Sequence, residues 1–182
     1  MKNNKEKVLV IFDGSNFYHI LKDKRVGISR TLNYQYGKLA EWLINGREAV
    51  AINYYVGIAR FSKKDPEKSQ KIVSSQQRLF AELQKQNINL IRGYMMENNG
   101  IFNEKGVDVK IAVDIVIGAY ENLFDTVILI SSDTDLIPAI EKAMRLGKKV
   151  EYVGLSYRPS FGLMKKVSET KLLAEKDLEK FE

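Results

Sequence analysis

The stretch VLVIFDGSN, from Val8 to Asn16, starts as a buried strand and ends in an acid followed by small polar residues. Its continuous apolar run, Val8–Phe12, predicts a strand covered on both faces, as in parallel sheets. Asp13 closes this strand, and a helical pattern begins after Ser15 or Asn16. Since Asp and Asn are common in turns and helix caps, a plain strand–turn–helix junction explains these residues. A ligand site at the end of the strand is the alternative.

The rest of the chain continues the pattern of buried strands separated by helices. Four further apolar, β-branched runs follow, at Val50–Val56, Ile88–Ile91, Val127–Ile130 and Val150–Val153. The longer segments between them have helical periodicity, which predicts βαβ crossovers and a parallel sheet. We therefore expect an α/β protein, a three-layer α/β/α sandwich with a mostly parallel five-stranded sheet and the first strand at its centre.

The predicted helices run to about Lys22 and then over Tyr34–Asn45, Pro66–Gln86, Val107–Tyr120 and Asp135–Leu146. Within Gly93–Lys105, the dipeptide Asn99-Gly100 predicts a β-hairpin. We assign residues 1–155 to one domain. Residues 156–182, helical from about Phe161, are predicted to be an extension packed on the same domain, with its last helix on the surface or in a homodimer.

Composition excludes several kinds of chemistry. The 182 residues contain no cysteine and one histidine, so disulfides, thiolate metal sites and multi-histidine zinc sites are excluded. The formal charge of +6 mildly favours an anionic partner such as nucleic acid. No run of about 18 apolar residues is present, so no transmembrane helix is expected. The polar start MKNNKEK lacks the apolar core of a signal peptide, which predicts a cytoplasmic protein.

Carboxylates are the remaining candidates for chemistry. Because the carboxyl ends of parallel strands share one edge, the acids that follow strands or open the next helix should meet there. These acids are Asp13, Asp108, Asp114, Asp133 and Asp135. Two have a structural explanation: Asp135 is a good N-cap, with Pro138 in the first turn, and Asp114 can pair with Lys110 one turn away.

The predicted helix VDVKIAVDIVIGAY, Val107–Tyr120, is apolar nearly all round, so we expect it to be buried. Acids in such a helix are costly unless they have partners. A divalent cation would be such a partner. Carboxylates clustered without histidine or cysteine suit Mg²⁺ or Mn²⁺.

Four segments together resemble a known family: IFDGSN, KGVDVKIAVDIV, FDTVILISSDTDLIPAI and GKKVEYVG. They resemble an NYN domain, and within it the LabA-like branch of the PIN-like nucleases, over about residues 7–155. The resemblance implies a PIN-like Rossmannoid fold with strand order 3-2-1-4-5. It also implies a carboxylate cluster that binds Mg²⁺ or Mn²⁺, and RNA as the substrate. The chain departs from the family pattern at Ser132, where glycine is common, and at Leu136, where phenylalanine is common.

The family's functional positions carry over to Asp13, Asn16, Asp108, Asp114, Asp133 and Asp135. The metal ligands would be Asp13, Asp108, Asp133 and Asp135, with Asp13 and Asp133 closest to the ion. Asp108, Asp114 and Asp135 would bind a second ion or orient water. Apart from the resemblance, basic residues near strand carboxyl ends are candidates to contact RNA, with an ordinary solvated side chain as the alternative for each: Arg60, Lys63, Lys64, Arg92 and Lys105.

A metal-dependent endoribonuclease is therefore the leading functional hypothesis, because a divalent ion can neutralise a phosphodiester and activate water. Two alternatives stay open. One is an RNA-binding or regulatory module whose acidic site is weak or silent. The other is a phosphoester hydrolase that acts on small substrates.

Overall fold

The computed structural model describes residues 5–28, 31–59, 61, 65–98 and 101–182. Its strands are β1 Lys7–Asp13, β2 Glu48–Val56, β3 Asn89–Arg92, β4 Tyr94–Asn98, β5 Ile101–Lys105, β6 Thr126–Ile130, β7 Lys149–Leu155 and β8 Glu169–Leu173. Its helices are α1 Gly14–Lys22, α2 Tyr36–Ile44, α3 Pro66–Lys85, α4 Val107–Tyr120, α5 Ile137–Arg145, α6 Phe161–Met164 and α7 Glu175–Glu179, with a 3₁₀ turn at Thr134–Leu136.

Six strands form one parallel sheet in the order β3-β2-β1-β6-β7-β8. The expected order 3-2-1-4-5 is confirmed for the five predicted strands, and β8 adds a sixth beside β7. The chain runs outward from β1 in both directions, so the order reverses between β1 and β6. The predicted hairpin is also present, since β4 pairs antiparallel with β5; its Asn99-Gly100 turn lies outside the described residues.

Two helical layers cover the sheet and confirm the three-layer architecture. Alternate residues of β1 point to opposite faces. Val8, Val10 and Phe12 pack with α1, α2 and α7, whereas Leu9 and Ile11 pack with α4, α5 and α6. Because β1 is buried from both sides, its carboxyl end lies at the centre of the sheet edge.

Helix α4 differs from the expectation of a helix buried all round. Only one side, which includes Ile111 and Ile115, packs on the sheet. The opposite side is apolar but exposed: Val109 is 66% exposed and Tyr120 78%. The prediction failed because an outer-layer helix has only one neighbouring layer, and apolar composition alone cannot show which side the layer covers.

The C-terminal segment also differs from its prediction. Residues from Phe161 onward were expected to be helical, yet α6 and α7 are short and the strand β8 lies between them. The tail contacts the rest of the protein at Trp42, whose ring lies 3.7 Å from the Lys171 ammonium group and 5.9 Å from the ring centre of Phe181. The proposed domain boundary at residue 155 stays a prediction.

Candidate active site

Asp13 is the centre of the candidate site. It ends β1, is only 1% exposed, and caps helix α1 by accepting the backbone N–H of Asn16 at 3.1 Å. Its other oxygen accepts hydrogen bonds from the Asn16 amide at 2.6 Å and from the Ser131 hydroxyl at 2.7 Å. Three donors therefore hold one buried carboxylate, which satisfies it as an anion.

Gly14 explains the tight turn after this acid. A Cβ at this position would lie 2.5 Å from the backbone oxygen of Tyr55 and 2.4 Å from the ring of Tyr54. The Tyr54 hydroxyl also donates to the Gly14 carbonyl at 3.2 Å. Only glycine therefore lets α1 start directly against β2, which fixes the position of Asn16 beside Asp13.

The loop after β6 brings the second acid to the same place. Ser131 is buried, and its hydroxyl oxygen accepts the backbone N–H of Asp133 at 3.1 Å. Ser132 donates to the side-chain oxygen of Asn16. These two serines belong to the candidate site, and the sequence analysis did not include them. The signal was present in ISSDTD, where two hydroxyls directly follow a buried strand that ends at the site edge.

The helix cap that was assigned to Asp135 belongs instead to Asp133. The Asp133 carboxylate accepts the backbone N–H of Asp135 at 2.8 Å and caps the 3₁₀ turn. Helix α5 starts only at Ile137, after Leu136, which makes no side-chain cap. The prediction was wrong because the 3₁₀ turn Thr134–Leu136 moves the start of the regular helix from Asp135 to Ile137. Asp135 is exposed.

A pocket of about 280 Å³ brings three of the predicted acids together. Asp13, Asp108 and Asp133 line it, along with Ser15, Asn16, Gly106 and Val107. We call it the acidic pocket. Among its described lining residues there is no lysine, arginine or histidine, so the described side chains place negative charges near one another without a cation.

Charge repulsion is visible at Asp108. Partial burial raises the pKa of its carboxyl, and the charges of Asp13, Asp133 and Asp135 raise it further. Asp135 therefore acts on Asp108 through its charge, although it does not line the acidic pocket. The ionised form of Asp108 is disfavoured in the folded protein, as expected of an acid crowded by other acids.

Asp114 has a different environment from the other acids. Its carboxylate accepts the Tyr55 hydroxyl at 2.9 Å, and it does not line the acidic pocket. Burial, and then the Asp114 charge, raise the pKa of Tyr55 well above its ordinary value. The partner of Asp114 is therefore Tyr55 of β2, and not Lys110 of its own helix, which the sequence offered.

The donor chemistry of the acidic pocket fits a hard divalent cation, since oxygen ligands are what Mg²⁺ and Mn²⁺ prefer. The positions of the carboxylates fit a bound ion less well than their chemistry does. Within the described part of the chain, no group of three or more His, Cys, Asp or Glu side chains is placed to hold a metal ion. Binding an ion through three of these carboxylates would require at least one of them to move, whereas Mg²⁺ held by one or two carboxylates and water would not.

Of the five predicted RNA-contacting residues, only Arg92 and Lys105 lie in the described part of the chain. Arg60, Lys63 and Lys64 lie outside the described residues. Lys105 ends β5 and pairs with Tyr94 through its backbone. Arg92 is exposed at the end of β3, with its guanidinium 5.7 Å from the ring centre of Phe80. Among the described side chains, Arg92 thus has an aromatic partner within the fold.

Comparison with known proteins identifies the family. The family model described as NYN domain matches residues 7–170. The chain belongs to the NYN domain family. This confirms the resemblance drawn from the sequence and assigns the protein to the PIN-like nuclease superfamily, whose NYN domains are generally hydrolases; the LabA-like placement stays a prediction.

Structural comparison supports the fold of this NYN domain protein. It is similar to a crystal structure of a protein of unknown function from Vibrio parahaemolyticus, with a TM-score of 0.70 and 23% sequence identity. The match covers 96% of this chain and 95% of the other. A search of curated proteins gave no match. In the described part of the NYN domain protein, no helix is long and apolar enough to cross a membrane.

The raised pKa of Asp108 predicts a pH-dependent stability difference. A folded-state pKa above the unfolded value means that stability is lost as pH rises through the folded pKa. In EDTA, Asp108→Asn should therefore melt at a higher temperature than wild type at pH 7. The gain is expected to be no more than about 3 °C, because Asp108 is largely exposed and screened. The difference in melting temperature should vanish below pH 3.8, the ordinary pKa of an aspartate side chain.

Thermal melts of both proteins across this pH range would test the prediction. Glu121→Gln, an exposed site at the end of α4 that removes the same charge, is the matched control. A gain of equal size in Glu121→Gln would show that net charge, not the acidic pocket, is responsible.

Proposed function

We propose that this chain is a metal-dependent endoribonuclease that hydrolyses RNA phosphodiester bonds at the acidic pocket. One observation carries the proposal: Asp13, Asp108 and Asp133 come from β1, α4 and the loop after β6, yet they line one pocket whose described lining residues include no cation. A protein gains little stability from mutually repelling acids. Their convergence is better explained by an ion that is bound when the site works.

Each residue has a role in this proposal. Mg²⁺ or Mn²⁺ bound by Asp13, Asp108, Asp133 and Asp135 would neutralise the phosphodiester and lower the pKa of an attacking water. Asn16 and Ser131 hold the Asp13 carboxylate in one orientation. Asp114 acts through its hydrogen bond with Tyr55 rather than at the reacting atoms.

The RNA-binding alternative has its own supporting observation. Both oxygens of Asp13 already accept hydrogen bonds, and Asp133 already caps a turn. These bonds stabilise the fold without an ion, so the same residues would be kept in a module that binds RNA without cutting it. A cytoplasmic location and a homodimer are further proposals that rest on the sequence.

Incubating single-stranded and structured RNA with the protein in Mn²⁺, Mg²⁺ or EDTA separates these functions. The endoribonuclease proposal expects internal cleavage with a divalent ion and none in EDTA. RNA binding without cleavage in any ion would favour the binding module. Release of phosphate from small phosphoesters, with RNA left intact, would favour the small-substrate hydrolase.

A further inference from the structure

A second cavity, of about 590 Å³, lies next to the acidic pocket, and Asn16 lines both. Its walls come from α1, from the loop after β6, and from the end of β7 with the residues that follow it. We call it the side cavity. Its volume is within the range of small-molecule sites, about 300–1,000 Å³.

The wall between the two cavities is a short chain of hydrogen bonds. Asn16 donates to Asp13 on one side and accepts from Ser132 on the other. Both cavities therefore flank the place where the strand order reverses, between β1 and β6. Ligands of open α/β sheets bind at such a reversal. When one part of a ligand is bound at Asp13, the adjacent part of the same ligand can therefore lie in the side cavity.

The side cavity combines apolar side chains with basic ones. Ile20 supplies half-buried apolar surface, Val153 and Leu155 line the cavity but are almost fully buried, and His19 and Arg158 are exposed at its walls. One acid, Asp23, is also present. The backbone N–H of Arg25 lowers the pKa of Asp23, and the charges of Arg25 and Arg158 contribute. Arg158 is thus a cationic lining residue of the side cavity beside the Asp23 carboxylate, whereas the described lining residues of the acidic pocket include no arginine or lysine.

We propose that the side cavity is the subsite for the nucleotide next to the scissile phosphodiester. Arg158 and His19 bind the backbone phosphate of this nucleotide, and its ribose and base lie on Ile20, Val153 and Leu155. The inference rests on the proposed function and names its substrate as single-stranded RNA. A base paired in a duplex cannot leave its stack to enter a cavity without an energetic cost.

Binding of a short fluorescent single-stranded RNA in EDTA tests this subsite without cleavage. Arg158→Gln should weaken the RNA about tenfold, the expected loss for a hydrogen bond to a charged group. The matched control is Arg78→Gln on the exposed part of α3, which removes the same charge and should change affinity by about twofold or less. His19→Gln should weaken binding in the same direction as Arg158→Gln.

A second variant separates a true cavity from general charge attraction. Ile20→Trp keeps every charge and fills part of the side cavity. AMP should therefore displace the fluorescent RNA less well from this variant than from the wild type. The slope of RNA affinity against salt concentration should stay the same, because no charge has changed. Circular dichroism melts would verify that the variant is folded. A duplex of the same sequence should compete less well than the single strand.

Equal affinities for Arg158→Gln and Arg78→Gln would overturn the subsite, as would a wild type that binds neither the RNA nor AMP. Equal competition by duplex and single strand would overturn it as well. Failure of the proposed function looks different: the wild type would bind RNA through Arg158 and never cut it in Mn²⁺ or Mg²⁺.

Discussion

Asp13→Asn is expected to lower the rate of RNA cleavage by about 10³-fold, which corresponds to about 4 kcal/mol of transition-state stabilisation. Asn removes the negative charge that would bind the ion. It also replaces one accepting oxygen by an amide NH₂ group, which is a donor. The Asn16 amide and the Ser131 hydroxyl, which both donate to Asp13, would then face a donor instead of an acceptor. The variant should stay folded, since the apolar residues of β1 are unchanged. Single-turnover cleavage in Mn²⁺ measures the loss.

The matched control for this variant is Asp125→Asn. Asp125 lies at the opposite edge of the sheet, where its carboxylate accepts the Lys7 backbone N–H at 2.8 Å. Asparagine can keep this bond, so cleavage should be unchanged. If Asp13→Asn cuts RNA at the wild-type rate, the acidic pocket is not the catalytic site.

Manganese is expected to raise the melting temperature of the wild type by about 5–10 °C, when its concentration is about 100 times the dissociation constant. The ion would bind only the folded protein and would relieve the repulsion at Asp108. Asp133→Asn should lose this response, because it removes one of the acids that line the acidic pocket. The fluorescence of Trp42, the single tryptophan, offers a measure of unfolding.

Two comparisons complete this test. Asp125→Asn should keep the full manganese response, and Asp133→Asn should melt in EDTA at or above the wild-type temperature, because repulsion is reduced. An unchanged wild-type melting temperature in millimolar Mn²⁺ would show that the folded protein does not bind Mn²⁺ in this concentration range. The proposed cofactor would then be wrong.

The central strands could be predicted from sequence because burial on both faces leaves a continuous apolar run, as in Val127–Ile130. Strand β8 could not. It lies at the edge of the sheet, and the first three residues of ETKLL are exposed. Edge strands tolerate charged residues, so the mixed-charge tail had no strand signal and was interpreted as a helix.

The positions of Asp13 and Asp133 also followed from the sequence, because the ends of parallel strands meet at one edge. Their partners did not. The bond between Tyr55 and Asp114, like that between Ser131 and Asp13, depends on packing between distant segments. Periodicity within a segment carries no information on such contacts.

The hydrogen bond between Ser131 and Asp13 joins residues 118 positions apart in the chain. Contacts of such long range form late, since the ends of a long loop must first be brought together. On the ribosome, β1 and α1 emerge well before the loop after β6 has been synthesised. Any activity that needs this bond is absent from the growing polypeptide. A nuclease built in this way would not cut its own messenger RNA from an incomplete nascent chain.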